Sequence, residues 1–276
     1  MALPQNKLNA LGLVYKAITR KASDLDEFKP FSIRIDNYYP SSSTLTGFEE
    51  QICAVDDLVS FTFNATFPIL LQTIVQSNIP SRLLGLIHLS TAFTKIRAHN
   101  WRLPSDIEVS ITHANETRKG IEYTIETKVF QFKRLTITNT NIMLDKSTAQ
   151  KRFTLPSVSQ NNWLHLSTKS ILSRDARKYA LHSKDFNPIH MSNWLAKQFG
   201  LPHMLIHGMY NVHWMLTEIS SNKEFLNHPE WDTLEVNFNK PCYLPATVEL
   251  KQDPNCDSFG LFSLDGQSRY VIMTLS

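Results

Sequence analysis

One apolar helical segment followed by a series of strand-like runs occurs twice in this chain, and that order limits the fold more than any other feature. In the first half, residues 66–78 read as a helix with Thr66 as its cap and Pro68 near its first turn, where a helix tolerates proline. Residues 59–63 before it alternate with a period of two and read as a strand or extended approach. Strand-like runs follow at 86–93, 107–112, 121–130 and 135–143, with Arg118-Lys-Gly120 turning the chain between the second and third. In the second half, a helix at 173–182 leads into a proline-containing loop, a short helix at 192–199 and a longer apolar helix from His207 to Ser220. Strands at 234–238, 246–250, 258–264 and 270–274 complete the second copy.

A short helix is expected at residues 5–20, and a loop rich in Pro, Ser and Tyr around Tyr38–Ser43. Residues 145–165 are polar and interrupted by Pro156, as a linker would be, which divides the chain into residues 1–150 and 151–276. The expected class is α+β. Each apolar helix is wrapped by an antiparallel sheet, the layout called a hotdog, and pairing the two sheets edge to edge gives a double hotdog without exposed inner edges.

Composition excludes several functions. With 42% hydrophobic and 19% charged residues, the 276-residue chain can bury a core. Basic residues exceed acidic ones only by 28 to 25 and are scattered, which is not the footprint of a nucleic-acid binder. Cys53, Cys242 and Cys256 lie far apart, without metal-ligand spacing or a disulfide framework. Residues 1–20 lack the continuous apolar core of a secretory signal, and no stretch approaches the ~18 apolar residues of a membrane-spanning helix. The ending Thr274-Leu275-Ser276 is unlike the peroxisomal Ser-Lys-Leu type. A cytoplasmic protein is expected, with monomer and homodimer both open.

The candidate chemistry lies in Asp185-Phe-Asn-Pro-Ile-His190. Pro188 fixes its own φ and pushes Asn187 to an extended conformation, so Asp185 and His190 can converge on one water, as acid–base work requires. The same residues have a plain alternative. Asn before Pro is a common turn signal, and a histidine in an apolar run is usually a satisfied core or surface residue.

The wider context is more specific. The run Tyr179-Ala-Leu-His-Ser-Lys-Asp-Phe-Asn-Pro-Ile-His190 continues into Met191-Ser192, then Ala196-Lys197, Phe199-Gly200 and His207-Gly-Met209, with Phe238-Asn-Lys-Pro241 and Leu244-Pro245 behind. It resembles the signature of the MaoC-like family, which includes R-specific enoyl-CoA hydratases, over residues 165–250. A weaker likeness in Leu84-Gly-Leu-Ile-His-Leu89, Arg102-Leu103 and Arg118-Lys-Gly120 is to the first hotdog of two-domain members. That half usually lacks the catalytic pair and shapes the acyl-chain tunnel, and no Asp-x-Asn-Pro-x-His occurs before residue 150.

The resemblance implies a hydro-lyase of fatty-acyl metabolism that hydrates trans-2-enoyl thioesters to (R)-3-hydroxyacyl thioesters, or catalyses the dehydration. Its partner would be an acyl-CoA or acyl-carrier-protein thioester, and no metal or redox cofactor is implied. Asp185 would accept a proton from water, His190 would hold the water and assist delivery to the α-carbon, and Asn187 would orient the water or brace the loop. The Gly208 amide, at a helix start, would hold the thioester oxygen. Pro188, His207 and Met209 are expected against substrate, with His207 also readable as a simple helix-start residue. Lys184 stands where the family usually has glycine. It could take a positive φ only with strain, and its ammonium could weaken Asp185 as a base. A thioesterase of the same fold and a non-catalytic acyl-thioester-binding subunit are the alternatives.

Overall fold

The computed structural model describes residues 25–52, 58–81, 85–146, 163–222 and 231–276. The helix expected at 5–20, most of the expected linker with its 150/151 boundary, Cys53 and Leu84 lie outside these residues. The first half runs β1 (Phe31–Tyr38), α1 (Ser42–Gln51), α2 (Phe61–Gln76), β2 (Leu86–Lys95), β3 (Ser105–Thr117), β4 (Gly120–Gln131) and β5 (Arg134–Asp145). The second runs β6 (Leu164–Ile171), α3 (Ser173–Ser183), a 3-10 turn (Pro188–His190), α4 (Asn193–Gln198), α5 (Gly208–Ser221), β7 (Thr233–Phe238), β8 (Ala246–Gln252), β9 (Ser258–Ser263) and β10 (Arg269–Leu275).

All ten strands form one sheet in the order β1-β3-β4-β5-β2-β7-β10-β9-β8-β6. Taken from its outer edge inward, each half has the same connectivity: first strand, third, fourth, fifth, second. The expected repeat is therefore present in the topology, and the architecture is a double hotdog. The halves join where Ser90–Thr94 of β2 pair antiparallel with Thr233–Asn237 of β7. Phe93 and Leu234, opposite one another in this seam, are fully buried.

Helix α2 explains a misreading of the sequence. It begins five positions before Thr66, so the 59–63 alternation is not a strand: Phe61, Thr62 and Phe63 form its first turn and are all buried. A helix buried on nearly every side has no need of a 3.6-residue apolar stripe, so Phe61-Thr-Phe63 could mimic a strand. Thr66 is an interior residue rather than a cap, and its hydroxyl donates to the Thr62 carbonyl (2.7 Å). Thr73 does the same to Ile69 (2.8 Å), which is how a polar residue is carried inside an apolar helix. Pro68 sits mid-helix.

Three elements were not anticipated. The loop expected at 38–43 gives way to α1, started by Ser41, whose Oγ accepts from the Thr44 amide (3.1 Å). Strands β1 and β6 occupy the two outer edges of the sheet. Among the described residues, no helix is long and apolar enough to cross a membrane.

The seam should couple the halves energetically. Replacing fully buried Phe93 with Ala removes an aromatic ring where the sheets meet, at a cost of about 3–5 kcal/mol. Urea unfolding followed by tryptophan fluorescence and far-ultraviolet circular dichroism is expected to show one shared transition, moved to lower urea by Phe93→Ala. Two separated transitions in the wild type would show that the seam does not hold the halves together.

Candidate active site

Helix α3 ends at Ser183, and Lys184 turns the chain out of it with φ 61° and ψ 15°, the left-handed conformation that glycine favours. The expected backbone strain is present. The expected charge effect is not: the Lys184 ammonium donates to Ser43 Oγ on α1 (2.8 Å) and to the Leu181 carbonyl at the end of α3 (2.7 Å). What shifts Asp185 is burial, which raises its pKa, opposed by His190 and by the Asn187 amide. Lysine here closes a helix and ties it to the other half of the molecule.

The following loop is braced from within. The Asp185 amide donates to Ser183 Oγ (3.2 Å), and the Asn187 amide donates to Asp185 Oδ1 (3.2 Å). Asn187 is extended, as the residue before proline must be, and its Oδ1 accepts from the Ile189 amide (3.4 Å). The 3-10 turn Pro188–His190 then returns the chain so that His190 faces Asp185. Of the two roles expected of Asn187, these bonds are those of a brace. Pro188 opens the turn and is not among the residues lining the cavity, though its neighbours Asn187 and Ile189 are.

Main-chain carbonyls fix two histidine tautomers. His190 Nδ1 lies 2.8 Å from the Leu205 carbonyl, which can only accept, so Nδ1 carries the hydrogen and Nε2 keeps its lone pair. His207 Nε2 donates to the Asp185 carbonyl (3.1 Å) and lies 4.0 Å from Asp185 Oδ2. The two rings stack with centres 3.8 Å apart at 27°. Burial lowers the His190 pKa and holds that of His207 well below the usual histidine range. His207 precedes α5 without capping it through its side chain. It is a support that touches both Asp185 and His190, which neither expectation for it described.

One nitrogen or oxygen from each of Asp185, His190 and His207 lies within 4.8 Å of the others. Such a trio has metal-ligand types: with His207 Nε2 donating to a carbonyl, the His207 lone pair sits on Nδ1, a buried atom with no hydrogen-bond partner among the described residues. The remaining geometry suits a small molecule held between Asp185 and His190.

Gly208 starts α5, and a Cβ on it would come within 2.7 Å of the Phe238 ring. With Tyr210 N bonded to the His207 carbonyl, the Gly208 and Met209 amides stand at the positive end of the helix. Gly208, Met209 and His207 all line the cavity.

Behind His207 the Tyr179 ring lies 4.9 Å away, centre to centre. Its hydroxyl donates to Asn64 Oδ1 of α2 (2.7 Å) and lies 3.2 Å from His213 Nδ1, while His213 Nε2 donates to the Ser60 carbonyl (3.2 Å). The first half thus buttresses the loop from behind. It also walls the cavity of about 920 Å³, through Phe63, Phe67, Leu70, Leu71 and Ile74 of α2. Asn64 and His88 drew no functional reading from the sequence, because each acts through a partner distant in the chain.

Known proteins are similar to this chain in sequence and in fold. A family described as "MaoC like domain" matches residues 152–252. The chain is 25% identical over 202 residues to 3-hydroxyacyl-thioester dehydratase X of Mycobacterium tuberculosis, covering 70% of this chain and 68% of that protein. Its fold is similar to the crystal structure of HtdX of Mycobacterium tuberculosis, with TM-score 0.72 and 19% identity over 88% of this chain and 98% of that one. It is also similar to a Mycobacterium tuberculosis protein described as having a double hotdog fold, with TM-score 0.53 and 9% identity over 93% and 95% of the two chains.

Two outcomes follow from these environments. His190, His207 and His213 are buried with lowered pKa values, to about 3 for His213, and the half-buried His88 is lowered to about 4. Groups depressed in the fold contribute stability that is complete above the unfolded value of about 6.5 and is lost as pH falls toward the folded values. The urea midpoint should therefore drop from pH 7 to pH 5, and His213→Phe should flatten that drop; an unchanged wild-type midpoint would contradict it. Because the Lys184 ammonium is bonded away from Asp185, Lys184→Gly should leave kcat within about twofold in an enoyl-thioester assay. A tenfold rise would restore the charge effect.

Proposed function

We propose that this chain, whose residues 152–252 carry a MaoC-like domain, reversibly hydrates trans-2-enoyl thioesters to (R)-3-hydroxyacyl thioesters. The observation that carries the reading is the meeting of Asp185 and His190 within 4.8 Å at one cavity, beside the free amides of α5. At that spacing a single water can donate one hydrogen bond to the Asp185 carboxylate and the other to His190 Nε2.

The electrostatics favour passing a proton between them. Burial raises the Asp185 pKa and lowers that of His190, so two groups ordinarily apart in acidity are pushed toward each other. A proton taken from water by one is then held loosely enough to be given up again. In hydration, the water oxygen forms its bond to the β-carbon while its proton goes to the pair. The π electrons move onto the thioester oxygen, where the Gly208 amide at the helix start stabilises the enolate. The enolate collapses as the pair returns the proton to the α-carbon, and dehydration is the reverse sequence.

In this reading the first half holds no second site and lends α2 to the acyl tunnel, and the thioester is carried by coenzyme A or an acyl-carrier protein. A thioesterase finds less support. Among the described residues Cys242 is the cysteine at the cavity, and burial pushes its thiol up to about 12, which disfavours a thioesterase with a cysteine nucleophile; the complete Asp185-Phe-Asn-Pro-Ile-His190 run, which resembles hydratases, weighs against one that activates water.

Crotonyl-CoA tests the proposal. Loss of the enoyl absorbance is expected with wild type, while Asp185→Asn and His190→Ala should each lower kcat by about 10²–10⁴-fold. Equal inertness of all three toward enoyl-CoA and enoyl-carrier-protein substrates would overturn the reading, and release of free thiol would point to a thioesterase. The raised Asp185 pKa adds a second readout. A carboxyl whose pKa is raised in the fold contributes stability below its unfolded value, and that contribution is gone at neutral pH, where the buried charge is a cost. Asp185→Asn should therefore unfold at a higher temperature than wild type at pH 7 while losing activity.

A further inference from the structure

Helix α2 carries a buried polar side chain that its own half does not use. Thr66 and Thr73 bond within the helix, but Asn64 reaches across to the other half, where its Oδ1 accepts from the Tyr179 hydroxyl of α3 at 2.7 Å. Asn64 is 1% exposed, and its Nδ2 has no hydrogen-bond partner among the described residues. A buried amide with an unmade bond costs stability that a leucine of the same shape would not. Nor does substrate account for it, because Asn64 is not among the residues lining the cavity. A polar group kept at a cost, away from the ligand, calls for a reason in what it holds.

What it holds leads to Asp185 in two steps. The Tyr179 hydroxyl has one hydrogen and two acceptors beside it, Asn64 Oδ1 and His213 Nδ1 at 3.2 Å, since His213 Nε2 carries the hydrogen given to the Ser60 carbonyl. The nearer acceptor takes it, which fixes the tilt of a fully buried ring. That ring packs on His207 with centres 4.9 Å apart at 54°. His207 is weakly tethered by itself: Nε2 donates to the Asp185 carbonyl at 3.1 Å, while Nδ1 is buried without a partner among the described residues. With one hydrogen bond, the imidazole takes its orientation from the rings it touches, Tyr179 and the stacked His190 at 3.8 Å. Asn64 therefore bears on both members of the catalytic pair without touching either.

We propose that Asn64, in the half without the catalytic pair, is a positioning residue for the hydration step, acting through Tyr179 and His207 on Asp185 and His190. Without its Oδ1 the Tyr179 hydroxyl turns to His213 Nδ1, the ring follows, and His207 no longer holds the Asp185 main chain where its carboxylate faces His190. Small displacements of this kind are expensive in rate: about 1 Å of misplacement can cost on the order of 10²-fold. Thioester binding is not affected in the same way, because the cavity keeps its lining. Rate and stability should then part company, as expected of a group retained for function at the expense of packing. The inference rests on the hydratase reading and adds to it a residue from the other half of the chain.

The experiment measures kcat and KM for crotonyl-CoA in wild type, Asn64→Leu, Tyr179→Phe and the double variant, with thermal unfolding of each followed by circular dichroism. Asn64→Leu is expected to lower kcat by about tenfold while KM changes by less than about twofold. It should unfold at the wild-type temperature or above, because leucine leaves no unmade amide bond in the core. Tyr179→Phe removes the same hydrogen bond from its other end, so it should cost a similar factor, and the double variant should be no slower than the slower single. A kcat per folded molecule that stays within about twofold of wild type in Asn64→Leu overturns the inference, as does failure of that variant to fold or a double variant whose losses multiply. Each of those results leaves hydration by the wild type standing. A wild type inert toward crotonyl-CoA and enoyl-carrier-protein substrates would instead sink the hydratase reading and this one with it.

Discussion

Five residue pairs between β2 and β7 convert two incomplete sheets into one. Either half alone would leave a strand edge open in the middle of its apolar face, the condition that leads sheets to aggregate or swap. The seam also decides where chemistry can occur. It sets His88 and Phe238 against each other, brings α2 over the cavity, and lets α1 pack beside α3, where Lys184 bonds to Ser43. The loop bearing Asp185 and His190 belongs to the second half, but the wall opposite it and the strut behind it belong to the first.

Main-chain carbonyls arrange the buried imidazoles. Those of Leu205, Asp185 and Ser60 each accept a hydrogen from His190, His207 and His213 respectively, and a carbonyl leaves no choice of tautomer. The histidines stay neutral because burial penalises their charged form, and the same penalty raises Asp185. One physical effect therefore stabilises the resting histidines, destabilises the carboxylate and narrows the gap in acidity between Asp185 and His190. A site so built trades stability at Asp185 for readiness to move a proton.

Much of this was legible in the sequence, for reasons visible in particular elements. Strands β3, β4, β5, β7, β8 and β10 announce themselves because they alternate buried and less buried positions over most of their length, and β9 by a short apolar run whose four central residues are all buried. Strand β1 carries the same signal in Phe31-Ser-Ile-Arg-Ile-Asp36; β6, a polar edge strand, carries little. The start of α2 was hidden because its all-round burial erases helical periodicity. At the site, Asp185, His190, Asn187, Gly208 and Met209 are nameable through the resemblance to the MaoC-like signature, which a local run of sequence carries; their spacing alone leaves a plain turn as an equal reading. The turning away of Lys184 toward Ser43 and the tautomers of His190 and His213 depend on contacts across the chain, which spacing does not encode.

The two halves share a strand order yet differ where the chemistry lies. In the first, α1 is followed closely by α2 between Gln51 and Phe61; in the second, the corresponding stretch from Lys184 to His207 holds the 3-10 turn and α4. That added length lets Asp185 and His190 leave the helix, converge, and be pinned by Leu205 and His207 before α5 begins. Without it, a half has no room for a loop that doubles back on a helix N-terminus. What the first half keeps is a helix, α2, too apolar to sit at a surface, and its inner face becomes the cavity wall. A duplicated fold can divide labour in this way because the seam needs only the strands, which leaves the segment between first strand and central helix free to differ.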